Sequence, residues 1–212
     1  MTVIAVDGPA AAGKGTLSRR LAAHLNFAHL DTGALYRAVG LSLLDKGLAP
    51  TDSVAAQAAA RNLDLGLLDD PRIREEATGA AASEVAAMPG VRAALLDLQR
   101  NFASAPPNGA KGAVLDGRDI GTVVCPDADV KIFVTASPET RARRRWLELR
   151  ERGESVEFED VLAEMKARDT RDRSRSHAPL AAADDAHLLD TSNSDIETVF
   201  QTALALVEKV IV

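Results

Sequence analysis

Residues Val3 to Asp7 read Val-Ile-Ala-Val-Asp, a short apolar run rich in β-branched side chains. That composition predicts a strand buried on both faces. A glycine-rich turn follows, and from Thr16 the apolar positions switch to a spacing of four, Leu17, Leu21 and Leu25, predicting one apolar face of a helix. A second helix is expected from Asp31-Thr32-Gly33, where a short polar side chain can cap free amides, with Leu35, Val39 and Leu43 on one face until Gly47. Pro50-Thr51 opens an Ala-rich helix. From Leu63 to Gly90, Asp69, Asp70 and Pro71 break the pattern and an Ala-rich stretch follows, which reads as a small helical insertion.

A helix ending near Phe102 is separated by the linker Ala105-Pro106-Pro107-Asn108-Gly109 from a strand at Ala113 to Asp116. Val130 to Thr135 is a further strand, and Ser137-Pro138-Glu139 after it is a helix start, with serine as cap and proline in the first turn. Gly153-Glu154-Ser155 interrupts that helix. Phe158, Val161, Leu162 and Met165 then mark a new apolar face until the chain turns near Pro179, so the segment is expected to be a helical hairpin. His187 to Asp190 supplies one more strand, and Ser194 with Glu197 forms a capping-box pattern ahead of Val199, Ala203, Leu206 and Val210. Strands alternating with helices predict an α/β fold with a parallel sheet covered on both faces. There is no internal repeat.

With 212 residues, 46% of them hydrophobic and 26% charged, the chain suits one domain with an insertion or arm and departs from disordered, collagenous and coiled-coil compositions. No run of 18 apolar residues is present and no signal-peptide pattern follows Met1, so a soluble, cytoplasmic protein is expected. The single cysteine, Cys125, forms no internal disulfide or thiolate cluster and reads as a packed thiol; the four histidines show no metal spacing, and Trp146 reads as packing. A net charge of −6 and only 3% aromatic residues argue against nucleic acid and membrane surfaces as partners. Yet ten arginines lie between Arg141 and Arg175, interleaved with carboxylates. A solvated, ion-paired helix surface would account for them. So would a face that grips anions: Arg168, Asp172 and Arg175 fall at i, i+4 and i+7.

Between the first strand and first helix lies Gly8-Pro9-Ala10-Ala11-Ala12-Gly13-Lys14-Gly15-Thr16, the placement a phosphate-binding loop requires. Glycines let backbone amides converge on phosphate oxygens, the helix N-terminus adds a favourable dipole, and Lys14 supplies a charge for the β- and γ-phosphates. The hydroxyl that usually follows the lysine directly comes one residue later, from Thr16. Asp116 ends a strand expected beside this loop, where it would reach Mg²⁺ through water or else cap a turn.

The Gly-Lys-Gly-Thr ending of that loop resembles nucleoside monophosphate kinases. Three further segments narrow the match: Asp31-Thr32-Gly33-Ala34-Leu35-Tyr36-Arg37, Asp116-Gly117-Arg118-Asp119-Ile120-Gly121-Thr122, and Arg168-Asp169-Thr170-Arg171-Asp172-Arg173-Ser174-Arg175. With Val130-Lys131-Ile132-Phe133 and Ala178-Pro179-Leu180 in place, the whole chain resembles the bacterial cytidylate kinases. The resemblance implies a three-layer P-loop fold on a five-stranded parallel sheet. It implies a core of 1–36, 103–140 and 178–212, a monophosphate-binding insertion at about 37–102 and a helical lid at about 141–177. The implied activity is Mg²⁺- and ATP-dependent phosphorylation of CMP and dCMP by a monomer.

By the same resemblance, residues 8–16 hold ATP, and Thr16 and Asp116 serve the metal. Arg37, Arg118 and Arg175 grip the acceptor phosphate, with Arg168 and Asp172 on the ribose side. Ser83, Arg92 and Asp119 read the base, Thr32 stands where the family usually has serine, and Lys14, Arg118, Arg144 and Arg175 are the catalytic set. Read without the family, Ser83 and Arg92 look like helix-surface residues. Asp119 suits the N4 amino donor of cytosine, against which uracil would set an acceptor. Arg141, Arg144 and Arg145 match lid positions, Arg144 being the expected phosphate contact. The insertion is shorter than in many family members and lacks the alternation of a small β-sheet. A kinase for another monophosphate such as UMP, or a non-catalytic nucleotide-binding switch, would share the phosphate loop.

Overall fold

The computed structural model describes residues 1–211. Five parallel strands, β1 (Thr2–Asp7), β2 (Ala28–Asp31), β3 (Gly112–Gly117), β4 (Val130–Thr135) and β5 (His187–Asp190), form one sheet in the order β2-β3-β1-β4-β5. Around it run α1 (Lys14–Leu25), α2 (Thr32–Asp45), α3 (Ser53–Arg61), α4 (Glu76–Val85), α5 (Pro89–Ser104), α6 (Pro138–Glu151), α7 (Phe158–Ser174) and α8 (Ile196–Ile211). Ile4 and Val6 of β1 face one side with Val114, Ile132 and Val134, and pack on α1 and α8. Ala5, Ala113 and Leu115 face the other, against α5 and the turn at Ile120–Val124. Three layers result, as the alternation of strands and helices predicts.

β2 is the strand that the sequence pattern does not announce. Its residues Ala28, His29, Leu30 and Asp31 include no β-branched side chain. It exists because β3 offers a parallel edge, in the register Ala28↔Ala113 to Asp31↔Asp116, and this pairing sets Asp31 beside Asp116. Helix starts also shift from the expected places. α1 begins at Lys14 rather than Thr16. α3 is capped by Asp52, which accepts from Val54 and Ala55 at 3.0 Å, rather than starting at Thr51. At α8 the cap is Asp195, not Ser194: its carboxylate accepts from Glu197 N at 2.9 Å and Thr198 N at 2.8 Å, and Glu197 instead pairs with Arg20. An aspartate one position on is a better-placed acceptor than the serine. The buried face of α8 is accordingly Val199, Phe200, Ala203, Leu204 and Val207, and Val210 is exposed.

The insertion is wholly helical among the described residues, with short 3₁₀ turns at Leu65–Asp69 and Pro71–Arg74 before α4. It has its own core, built from Leu35, Val39, Leu43, Ala82, Val85, Val91 and Leu95. α2 and α4 cross so closely at Gly40 that a Cβ there would lie 2.9 Å from Ala81 Cβ. The expected segment limits at 36/37 and 140/141 fall inside α2 and α6, so continuous helices carry the chain from core to insertion and from core to arm. α6 and α7 form the expected hairpin around Leu149, Val161 and Met165, and Trp146 joins this cluster, edge-on to Phe158 with its indole N–H on Val156 O at 3.0 Å. No helix among the described residues is long and apolar enough to cross a membrane.

Candidate active site

The loop after β1 turns its amides inward because its carbonyls are held from behind. Lys14 Nζ lies 3.4 Å from Pro9 O, Arg141 Nη1 donates to Ala10 O at 3.3 Å, and Thr191 Oγ1 donates to Ala12 O at 3.0 Å. Among the described residues no carbonyl of the chain accepts from the amides of 10–16. Left-handed backbone at Ala11 (φ 56°) and Gly13 (φ 93°) shapes the concavity, an arrangement that binds phosphate. At Gly8 a side chain is excluded outright, since a Cβ would sit 2.0 Å from Val134 O. Lys14 is pushed down to about 7 by burial, with Arg118 adding to the effect. An anionic ligand would restore its charge.

Opposite the loop, three arginines surround Asp172. Arg118 Nε donates to Asp172 Oδ2 at 3.0 Å and Arg175 Nη2 to Oδ1. Burial alone would raise the Asp172 carboxyl, but Arg118, Arg175 and Arg168 outweigh it and hold it below the ordinary range. α7 ends at Ser174, so Arg175 leaves the helix in extended backbone yet still turns back onto Asp172. Arg168 is pushed down to about 10 by burial and by Arg118. The Nε atoms of Arg168 and Arg175 are buried without partners. Buried guanidinium N–H groups left unpaired are placed for an anion. Arg37 stands apart, donating through Nη1 to Ile73 O at 3.0 Å, and burial lowers its pKa.

Asp119 and Arg92, expected to read the base, bond to one another, with Asp119 only 5% exposed. Arg92 is not the helix-surface residue its spacing suggests: its guanidinium lies 5.5 Å from the centre of the Tyr36 ring and Nη1 donates to Ala86 O. Ser83 is buried where Arg92 is half-buried, and its hydroxyl accepts from Arg171 Nη1 at 2.7 Å. Both were misplaced by spacing because the surface of α4 and α5 is covered by elements distant in sequence. Thr32 is buried and its hydroxyl donates to Asp116 O at 2.8 Å.

Asp116 does not cap a turn. Its Oδ2 pairs with His29 Nε2 at 2.8 Å, and a Cβ on Gly15 would lie 4.0 Å from its Oδ1, which sets the carboxylate beside the first turn of α1, the turn that also carries Thr16. Among the described residues no group of three or more His, Cys, Asp or Glu could hold a metal by itself. One carboxylate and one hydroxyl are nevertheless the hard oxygen ligands with which Mg²⁺ binds alongside nucleotide phosphates and water. Asp116 and Thr16 fit that ion.

In the arm, Arg144 lies against the phosphate loop, its Nη1 4.0 Å from where a Cβ on Gly13 would sit, and it donates to Thr191 Oγ1 at 3.0 Å and Thr191 O at 2.7 Å. Arg145 instead lines a cleft of about 700 Å³ that runs from Ala10 and Ala11 past Asp31 and Arg37 to Ser83 and Arg168. Sequence reasoning missed four contributors here: Asp7, His29, Thr191 and Arg171. Two of them had a local signal: Asp7 is a carboxylate ending an otherwise apolar strand, and Arg171 lies inside the arginine motif of 168–175. Asp7 is buried, accepts from Ile120 N and Gly121 N at 2.8 Å each, and burial raises its pKa to about 6 against the pull of those amides.

A family model described as cytidylate kinase matches residues 4–209. The cytidylate kinase of Rhodopseudomonas palustris (strain BisA53) is 57% identical over 208 residues, 98% of this chain and 97% of that protein. That of Rhodospirillum rubrum is 60% identical over 202 residues, 95% of each. In fold, the chain resembles an uncharacterized protein from Eubacterium ventriosum, with a TM-score of 0.54 at 14% identity, covering 98% of this chain and 99% of that one. A sugar kinase from Janibacter gives a TM-score of 0.52 at 13% identity, covering 98% and 95%.

Proposed function

The chain belongs to the cytidylate kinase family, and from that premise we propose how its residues carry the reaction. It transfers a phosphoryl group from ATP to CMP and dCMP, giving ADP and CDP or dCDP. An acceptor phosphate oxygen attacks the γ-phosphorus in line while the bond to the β-phosphate oxygen breaks. The amides of 10–16, Lys14 and the α1 dipole hold the donor phosphates. Arg37, Arg118 and Arg175 hold the acceptor phosphate, and Arg168 and Asp172 the ribose side; the remaining lone pairs of Asp172 stay open to a sugar hydroxyl. Asp119, Arg92 and Ser83 read cytosine, so the nucleotide must part the pair that the first two form. Thr32 fixes the β3 end through Asp116 O.

Asp116 and Thr16 would hold Mg²⁺, which supplies neutralisation of the β- and γ-phosphates when bound. Arg145 takes the phosphate-facing place in the arm, and Arg144 steadies Thr191 behind the loop. A monomer acting in the cytoplasm is the proposed setting, since both substrates are cytoplasmic metabolites.

The observation that carries these roles is the pairing of an amide-lined loop with buried, unpartnered guanidinium nitrogens at Arg168 and Arg175. Phosphoryl transfer between two anions asks for little else than such charge and alignment. ADP release with Mg·ATP and CMP, dCMP, UMP, AMP or GMP tests it, with turnover expected for CMP and dCMP far above the rest. Folded protein that turns over none of them refutes the assignment.

A further inference from the structure

Asp119 stands at the N-cap of the π-type turn Ile120–Val124, yet its side chain caps nothing. An aspartate at that position ordinarily accepts from the amide two or three residues on, here Gly121 or Thr122. The first of these is instead taken by a carboxylate 114 residues away: Asp7 Oδ2 accepts from Gly121 N at 2.8 Å, and Asp7 Oδ1 accepts from Ile120 N at 2.8 Å. The Asp119 carboxylate is thereby free to meet Arg92.

We infer that Asp7 is a positioning residue for base selection, capping the 120–124 turn from β1 so that Asp119 is released to read cytosine. The inference rests on the base-reading role assigned to Asp119 above. β1 and β3 place the two residues together, since Asp7 pairs in register with Gly117, two residues before Asp119. A carboxylate suits the place because it offers each of the two N–H groups its own acceptor oxygen. Without Asp7 those buried amides would be orphaned, and Asp119, the N-cap residue, is the side chain placed to cap Gly121 N in its stead. Asp7 also leads directly into Gly8, so the donor-phosphate loop and the base-reading turn share one anchor.

Kinetics with CMP and UMP on the full chain test this. Asp7→Ala is expected to lower the CMP-to-UMP ratio of kcat/KM by about tenfold or more, the order of one polar base contact. Adding Asp119→Asn to it should lower the ratio no further. A crystal structure of Asp7→Ala should show Asp119 turned onto the Gly121 amide. Should Asp7→Ala fail to fold, Asp7→Asn keeps the volume and one acceptor oxygen and should give a smaller fall in the same ratio. Folded Asp7 variants with the wild-type ratio, or an Asp119 still on Arg92, overturn the inference. An unchanged ratio in Asp119→Asn alone instead refutes base reading by Asp119, and the crystal structure then decides whether Asp7 governs its orientation.

Discussion

Arg141 offers a quantitative test of what holds the arginine-rich arm to the phosphate loop. It is 1% exposed, and its guanidinium donates to Asp169 at 3.1 and 2.5 Å, to Ala136 O at 3.0 Å and to Ala10 O at 3.3 Å. Arg141→Met keeps most of the aliphatic volume but leaves the buried Asp169 carboxylate uncompensated, a loss of about 3–5 kcal/mol. In a chain of this length each kcal/mol shifts Tm by roughly 2–4 °C, so a fall of about 6–20 °C is expected. Scanning calorimetry reads the global transition, and fluorescence of Trp146, the one tryptophan, reads the arm. Adding Asp169→Leu removes the stranded charge and should recover much of the loss. Because Arg141 also holds Ala10 O, the single variant should raise KM for ATP. A Tm within about 2 °C of wild type, against the several degrees this scale requires, or a double variant no more stable than Arg141→Met, would refute the account.

Three further outcomes are expected. Lys14→Met should lower turnover by about 10²–10³ with the fold intact, since a charge placed on the transferring phosphoryl group is lost. Lys14 also predicts a pH signature: its pKa near 7 in the free protein rises on ATP binding, so binding at pH 8 takes up most of one proton and at pH 6 almost none. Calorimetry in buffers of different ionisation enthalpy measures this, and equal proton uptake at both pH values contradicts it. Arg175→Ala should lower kcat at saturating CMP, because a phosphate contact strengthens in the transition state, whereas Asp172→Ala should raise KM and lower kcat together by releasing Arg118 and Arg175 at once. Wild-type kinetics in both would reduce this cluster to an ion-paired helix surface.

The sequence by itself determined what short-range pattern encodes. Val3–Asp7 and Val130–Thr135 are apolar enough to be strands in any α/β context, and the phosphate loop is one contiguous stretch whose glycines, lysine and following helix carry its chemistry locally. The arginine motifs were legible as motifs, and the hairpin from the break at Gly153. What the tertiary structure decided are the pairings across long chain separations. β2 forms because β3 lends it an edge, and Ser83 is buried and Arg92 half-buried because α7 and the 118–124 segment lie over them. Arg144 is drawn to Thr191 and Asp7 to Ile120 and Gly121, choices that no spacing along the chain records. The reason is physical: a buried donor or acceptor must find a partner, and which partner lies within 3 Å is set by the packing of the sheet and its helices, not by the residues beside it in sequence.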